Sequence, residues 1–186
     1  MTVHEIFTHL AKHMVEGMMI HDTLTKGYDF LGLYGFSKCH EYHHIAETKG
    51  YECLLHYYSS RYHKLLVIKE IPEPTIIPET WYKYTTMDVD SSTKRSAVKT
   101  MMEKWVEWER DTKRLYQEMY HELCNLNEIA AADKVKCYIC DVDEELKHAE
   151  KKLIKLSTID YSINTIINWQ QPMYKKFKKE LKHLFE

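Results

Sequence analysis

The sequence predicts an all-α protein: a four-helix bundle of two antiparallel hairpins joined by a long crossover, with a further helix at the C-terminus. Three observations support this prediction. The 186 residues include only five glycines and four prolines, and the helix-favouring leucine, lysine and glutamate are abundant. Apolar residues recur at the spacing of 3.6 residues per turn through four long segments. Three of the four prolines fall between residues 72 and 78, where they exclude a helix.

The composition favours a single domain, residues 1–186, because no Gly-, Pro- or Ser-rich linker divides the chain. With 26 basic against 28 acidic side chains, the chain has no overall charge typical of nucleic-acid binding. No run approaches the 18 apolar residues of a membrane span, and the N-terminus has no signal-peptide pattern. Five cysteines without a spaced framework suit a reducing compartment. We therefore expect a cytoplasmic protein whose partners are neither nucleic acid nor membrane.

The first predicted hairpin joins helices at about 2–26 and 37–66. Thr2 and Glu5 have the spacing of a capping box, which satisfies the free amides of a first helical turn. Glycines at 27, 32 and 35 interrupt the helical periodicity, so the connection is expected there, with Ser37 able to cap the second helix.

The second predicted hairpin follows a crossover at 67–91, which is too long for a simple turn between neighbouring helices. Asp90 and the three hydroxyl residues after it offer caps for the third helix. Pro172 is expected to interrupt the C-terminal helical region. The remaining predicted helices are about 92–126, 128–156, 160–170 and 173–185.

Ionisable side chains share the apolar face of the second helix. Residues 36–66 hold five of the twelve histidines, and His40, His44 and Glu47 lie with Leu54 in a stripe about 80° wide by helical projection. An ionisable group on such a face needs a partner, since leaving it buried alone costs several kcal/mol. The partner could be a metal ion, a charge on another helix or buried water.

The other helices offer ionisable groups at matching depth. Glu109 lies in mid-helix on the stripe of Trp105 and Tyr116, and the symmetry of an antiparallel hairpin places Glu109 level with Glu145. The same reasoning places Glu16 level with Glu47. It also places His21 between the levels of His40 and His44. These positions predict one polar layer across the bundle.

Two Glu-x-x-His pairs carry a family resemblance. They are Glu41–His44 and Glu145–His148, and this spacing turns both side chains of a pair toward one point. The stretch DEELKHAEKKL, residues 143–153, resembles the ferritin, bacterioferritin and rubrerythrin group, whose metal helices carry Glu-x-x-His followed by small and acidic residues. The resemblance covers about 30 residues and the hairpin topology, so the chain looks like a distant ferritin-like bundle.

The resemblance implies a centre of two iron ions, with manganese or zinc as other choices, and oxidase or iron-handling activity with dioxygen or peroxide. Among partners we also expect metal ions and a second copy of the chain, in a homodimer or a larger homo-oligomer. Two choices of ligand stay open. On the second helix Glu47 lies on the stripe and Glu41 at its edge, while Gly50 stands where a histidine would follow Glu47. On the first helix either Glu16 or His21 completes the set. The candidate metal ligands are Glu16, His21, His40, Glu41, His44, Glu47, Glu109, Glu145 and His148.

Two other functions fit the same residues. One is a non-enzymatic interaction or structural protein, in which the polar layer fixes the register of the helices. The other is a bundle of the DinB-like kind that binds a single metal ion through His21, His40 and His44. A redox role for Cys137 and Cys140 is not expected, because this Cys-x-x-Cys pair lies in mid-helix without the strand-to-helix context that activates a thiol.

Overall fold

A computed structural model of the protein describes residues 1–69 and 89–185 and contains five helices there. No strand occurs within these ranges, and none of their helices has both the length and the apolarity needed to cross a membrane. The predicted all-α bundle is therefore confirmed. In chain order the helices are α1 (Val3–Phe30), α2 (Tyr34–Tyr62), α3 (Ser91–Asn125), α4 (Ile129–Thr158) and α5 (Ile163–Phe185).

The first hairpin pairs α1 with α2. The capping box predicted for α1 is present: the Thr2 hydroxyl accepts from the Glu5 amide at 3.2 Å, and the Glu5 carboxylate accepts from the Thr2 amide at 2.7 Å. Beyond the predicted end at Lys26, α1 continues through Gly27 to Phe30. A helical glycine costs only about 1 kcal/mol, and the burial of Tyr28 offsets this cost.

The turn between α1 and α2 is shorter than predicted. It spans residues 31–33, and Gly32 adopts a φ of +72°, which favours glycine. Because α2 begins at Tyr34, Ser37 lies inside the helix and does not cap it. The helix ends at Tyr62, four residues before the predicted end, where His63 adopts a left-handed conformation with a φ of 52°.

The second hairpin pairs α3 with α4 close to the predicted bounds. Asp90 caps α3 as expected, since its carboxylate accepts from the amides of Ser92 at 2.8 Å and Thr93 at 2.9 Å. Most of the predicted crossover, 67–91, lies outside the described residues.

The C-terminal region forms one helix, α5, instead of the two predicted pieces 160–170 and 173–185. Pro172 lies inside α5. Contacts with α2 on both sides of Pro172 stabilise α5 and offset the loss of the backbone hydrogen bond that proline cannot donate. Gln170 accepts a hydrogen bond from the Gly35 amide at 2.8 Å, and further along α5 the ring of Phe177 lies 5.5 Å from that of Tyr42.

Two apolar clusters form the core, and all four bundle helices pass from one to the other. One cluster includes Tyr28, Phe36 and Trp105, and the other includes Phe7 and Leu54. The helices change cluster between residues 14 and 20 of α1, 39 and 54 of α2, 108 and 116 of α3, and 142 and 146 of α4. Gly17, Glu47, Glu109 and Glu145 lie in these intervals. A polar layer therefore separates the two halves of the core.

Candidate metal centre

Three buried histidines form the α1–α2 part of the polar layer. The Nδ1 atoms of His21 and His40 lie 3.0 Å apart, so one imidazole donates to the other. The ring of His43 lies 5.2 Å from that of His21 and 6.2 Å from that of His40. The Nε2 atoms of His21 and His40 are buried without a hydrogen-bond partner among the described residues. Burial, followed by the neighbouring imidazoles, lowers the pKa of both residues well below the usual value.

Glu109 brings a carboxylate from α3 to this histidine cluster. Its side chain is buried, accepts a hydrogen bond from Trp105 Nε1 at 2.7 Å, and places Oε1 3.9 Å from His21 Nε2. Burial, and next the charge of Glu145, raises the pKa of Glu109 to about 8. Near neutral pH a carboxylate of this kind takes up either a proton or a cation.

Glu47 lies beside Glu109 in the layer and faces α1 at a glycine. A Cβ atom added to Gly17 would lie 3.3 Å from Glu47 Cδ, so α1 offers no side chain at this point. Burial by the surrounding protein, followed by the charges of Glu145 and Glu109, raises the pKa of Glu47 well above its usual value. Three carboxylates from three helices thus share one electrostatic environment.

His43 joins the histidines to the third carboxylate. Its Nδ1 atom lies 3.3 Å from Glu145 Oε1. Burial opposes the charged imidazole, but Glu145 and a hydrogen bond with Cys39 outweigh burial and raise the pKa of His43 well above its usual value. His43 was not among the predicted ligands. Its spacing from His40 and Glu47, three and four residues, could have revealed it, because all three then share one face of α2.

Three other predicted ligands, Glu41, His44 and His148, have their contacts or their exposure outside the layer. Glu41 pairs with Lys38 at the surface. His44 donates from Nδ1 to the backbone carbonyl of Met18 at 2.9 Å, which fixes α2 to α1. His148 is exposed on α4. Glu16 is half-buried on α1, next to the glycine that faces Glu47.

The open ligand choices can now be compared with the geometry. On α2, Glu47 lies in the layer and Glu41 does not, because Glu41 is turned toward Lys38. On α1, His21 contacts His40 within the layer. The two Glu-x-x-His pairs lie on α2 and α4. On α4, Glu145 of the pair reaches the layer, and on α2 it is His43, the neighbour of His44, that does so.

A centre for two metal ions in this kind of bundle uses four glutamates and two histidines directed inward. Here α1 presents Gly17, α2 presents Gly50, and the histidine of the α4 motif is exposed, so the residues do not supply that set. In the described part of the chain, no three His, Cys, Asp or Glu side chains are already arranged to hold an ion. The donors in the layer are Glu47, Glu109, Glu145 and His43, with the imidazoles of His21 and His40 beside them, and this mixture of carboxylate and imidazole suits one ion after side-chain rotation.

A cavity of about 940 Å³ leads from the surface to the layer. Glu47, Glu145 and His43 line its inner part. Its outer part lies between α4 and α5 and is lined by lysines and by Trp169 and Phe177. The carboxylates are therefore reached from solvent by a route wide enough for a small molecule.

The fold resembles solved ferritin structures. An engineered closed form of the Archaeoglobus fulgidus ferritin superposes with a TM-score of 0.76 and 15% sequence identity, covering 94% of this chain and 96% of that one. An open-pore ferritin from the same hyperthermophilic archaeon gives a TM-score of 0.75 at 16% identity, covering 92% and 94%. No protein-family model matches the sequence, and no curated protein matches it. The chain has the ferritin-like fold.

Proposed function

We propose that this protein binds one transition-metal ion, iron or manganese before zinc, in the polar layer, and uses it in oxidase or iron-handling chemistry. The observation that carries this proposal is the meeting of Glu109, which is buried, with Glu47 and Glu145, which are half-buried, in a layer where desolvation and their mutual repulsion raise the pKa of Glu47 and Glu109. A bound cation removes that repulsion. Oxygen-rich ligation with imidazole suits iron and manganese.

The proposed ligands are Glu47, Glu109, Glu145 and His43. Trp105 orients the Glu109 carboxylate by its indole N–H, and both side chains are buried. His43 is held between Cys39 and Glu145. When bound, iron would supply one-electron chemistry with dioxygen or peroxide, while the cavity admits the reactant.

We propose one ion and not the two that the family resemblance implies. The four-glutamate, two-histidine set of a two-ion centre would take a carboxylate of α1 facing Glu47 and a histidine from the turn of α2 that follows Glu47, and those positions are Gly17 and Gly50. The ferritin-like fold supports the class of chemistry, but at 15% identity it does not fix the number of ions.

Metal titration of wild type and Glu109→Gln tests the proposal. The glutamine keeps the shape of the side chain and removes its charge. We expect wild type to bind one Mn(II) or Fe(II) per chain, and Glu109→Gln to bind it more than about 100-fold more weakly, since even losing an outer-shell partner costs about 10–100-fold. Equilibrium dialysis with elemental analysis measures both values.

Glu118→Gln is the matched control, because Glu118 is an exposed carboxylate on the same helix. It should bind metal as wild type does. Binding of two ions per chain would support a two-ion centre instead of the single ion proposed. Equal binding by wild type and Glu109→Gln would show that the polar layer is not the metal site.

A structural polar layer is the second candidate function. It is favoured by hydrogen bonds that the layer already makes within itself, from Trp105 to Glu109 and between His21 and His40. Such bonds would fix the register of the helices without any ion. This candidate predicts that metal ions leave the stability of the protein unchanged.

A further inference from the structure

The cavity beside the polar layer has a basic end and an acidic end. Its α4 wall begins at Tyr138 and reaches Lys155, which is about 25 Å along a helix that rises 1.5 Å per residue. The first part of this wall carries Asp141, Glu144 and Glu145, and the last part carries lysines 151, 152 and 155. A ligand that lies along the cavity therefore meets opposite charges at its two ends.

The lysines at the basic end are available to an anion. Lys152 makes a side-chain hydrogen bond with the buried Cys39. Among the described residues, Lys147 and Lys176 pair with carboxylates at 2.9 Å and 3.8 Å, but neither Lys152 nor Lys155 does. Their ammonium groups lie instead over aromatic rings: Lys152 Nζ is 4.8 Å from the centre of Trp105, and Lys155 Nζ is 4.5 Å from that of Trp169. Ring contacts orient these cations but do not neutralise them.

The walls next to these lysines are apolar. Trp169, Met173 and Phe177 come from α5, and Tyr42 comes from α2. These residues lie on two helices that the Gly35–Gln170 hydrogen bond joins. Further in, Gly50 leaves open space, since a Cβ atom there would meet nothing within 4 Å. A ligand with an aromatic body fits these walls.

We propose that the cavity binds a small organic carboxylate with an aromatic body. The carboxylate lies between Lys152 and Lys155, and the body extends along Trp169 and Phe177 toward Gly50 and the polar layer. This carboxylate is the proposed substrate class of the metal centre, and any reaction of the bound ligand depends on that proposed function. Its binding needs only the lysines and the cavity, so it can be measured in metal-free protein.

The test is calorimetric titration of metal-free protein with 3-phenylpropanoate and with its neutral analogue 3-phenylpropanamide. Wild type should bind the carboxylate with millimolar or better affinity and the amide at least about ten-fold more weakly. The double variant Lys152→Gln/Lys155→Gln should lose about ten-fold or more in affinity for the carboxylate and little for the amide. Lys136→Gln, an exposed lysine on the same helix outside the cavity, should bind as wild type does.

A second variant tests the location without removing charge. Gly50→Leu fills the inner part of the cavity and places a better helix former in α2, so it should fold at least as well as wild type while losing affinity for 3-phenylpropanoate about ten-fold. The absence of saturable binding to wild type would overturn the proposal. Equal binding of acid and amide, or binding that neither variant weakens, would do the same.

The ligand titration and the metal titration can give opposite results, so the carboxylate site and the metal centre are tested independently. A protein that takes up no metal yet binds 3-phenylpropanoate through its lysines would refute the metal centre and support the carboxylate site. A protein that binds metal but not the carboxylate would do the reverse.

Discussion

His13 shows how a single half-buried imidazole makes the stability of this protein depend on pH. Its ring stacks on Trp108, with centroids 4.2 Å apart and planes 13° apart, and its Nε2–H donates to the Thr112 hydroxyl at 2.7 Å. Burial lowers the pKa of His13 to about 4, although Asp111 opposes this effect. The unfolded chain takes up this proton near pH 6.5 and the folded protein only near pH 4. Stability is therefore lost as the pH falls through that window.

We predict that His13→Gln reduces the loss of stability in acid. Between pH 7 and pH 4, His13 contributes a fall of at most about 3 kcal/mol in the free energy of unfolding, at about 1.4 kcal/mol per pKa unit. Glutamine can still donate to Thr112 but does not titrate. His21 and His40, whose pKa values are also lowered, still contribute to the fall in the free energy of unfolding of the variant. Urea denaturation of metal-free protein at several pH values measures the slope.

The exposed His9 on the same helix provides the control for this comparison. His9→Gln should retain the wild-type slope between pH 7 and pH 4. An unchanged slope in His13→Gln would show that His13 is solvated in the folded protein.

At the scale of elements, the joint between α2 and α5 depends on the absence of a side chain at Gly35. A Cβ atom there would lie 2.5 Å from the backbone oxygen of Gln170 and 2.8 Å from its Cβ, so α5 would have to move. The joint also closes the outer part of the cavity, because Trp169 and Phe177 follow on the same helix.

We predict that Gly35→Ala destabilises the protein by about 1–3 kcal/mol, the usual cost of inserting atoms into a packed contact. Gly50→Ala is the matched control on the same helix. Open space surrounds Gly50, and alanine favours the helix by about 1 kcal/mol, so this variant should be more stable than wild type. Urea denaturation gives both values. If both variants were stabilised to the same extent, the close contact between α2 and α5 would be wrong.

The sequence predicts the helices of the bundle well because their periodicity is local. The bounds of α3 and α4 lie within two residues of the predicted ones. The sequence predicts a break at Pro172 because the missing hydrogen bond of proline is local too, whereas the contacts of Gln170 and Phe177 that stabilise α5 join residues more than 130 positions apart. No local pattern could show them.

The candidate site was predictable in its carboxylates and less so in its histidines. Glu47 and Glu109 project onto apolar stripes, and both lie in the polar layer with raised pKa values. His43 lies toward the edge of its stripe, and its contacts in the layer are with Glu145 on α4 and His21 on α1, which are far from it in the sequence. The basic end of the cavity was not predicted, since it depends on how α5 packs against α2 and places Trp169 near Lys155.

At the scale of the whole molecule, the polar layer interrupts a core that could have been continuous. Two apolar clusters lie on either side of it, and all four bundle helices cross it. Keeping Glu109 buried costs free energy when it is charged, since its pKa is raised to about 8. An ion that binds only the folded protein would recover this free energy, so the two candidate functions differ in how stability responds to metal.

We predict that Mn(II) raises the unfolding temperature of wild type and does not raise that of Glu109→Gln. At a free concentration 100 times the dissociation constant, binding to the folded state adds about 2.7 kcal/mol to the free energy of unfolding. Thermal unfolding followed by circular dichroism at pH 7, with Mn(II), Fe(II) under anaerobic conditions, or Zn(II), gives the shift for each ion. Glu118→Gln should shift as wild type does. If no ion moved the wild-type transition while Glu109→Gln lowered it in metal-free buffer, the buried carboxylate would act through its hydrogen bond with Trp105, and the layer would serve to fix the register of the helices.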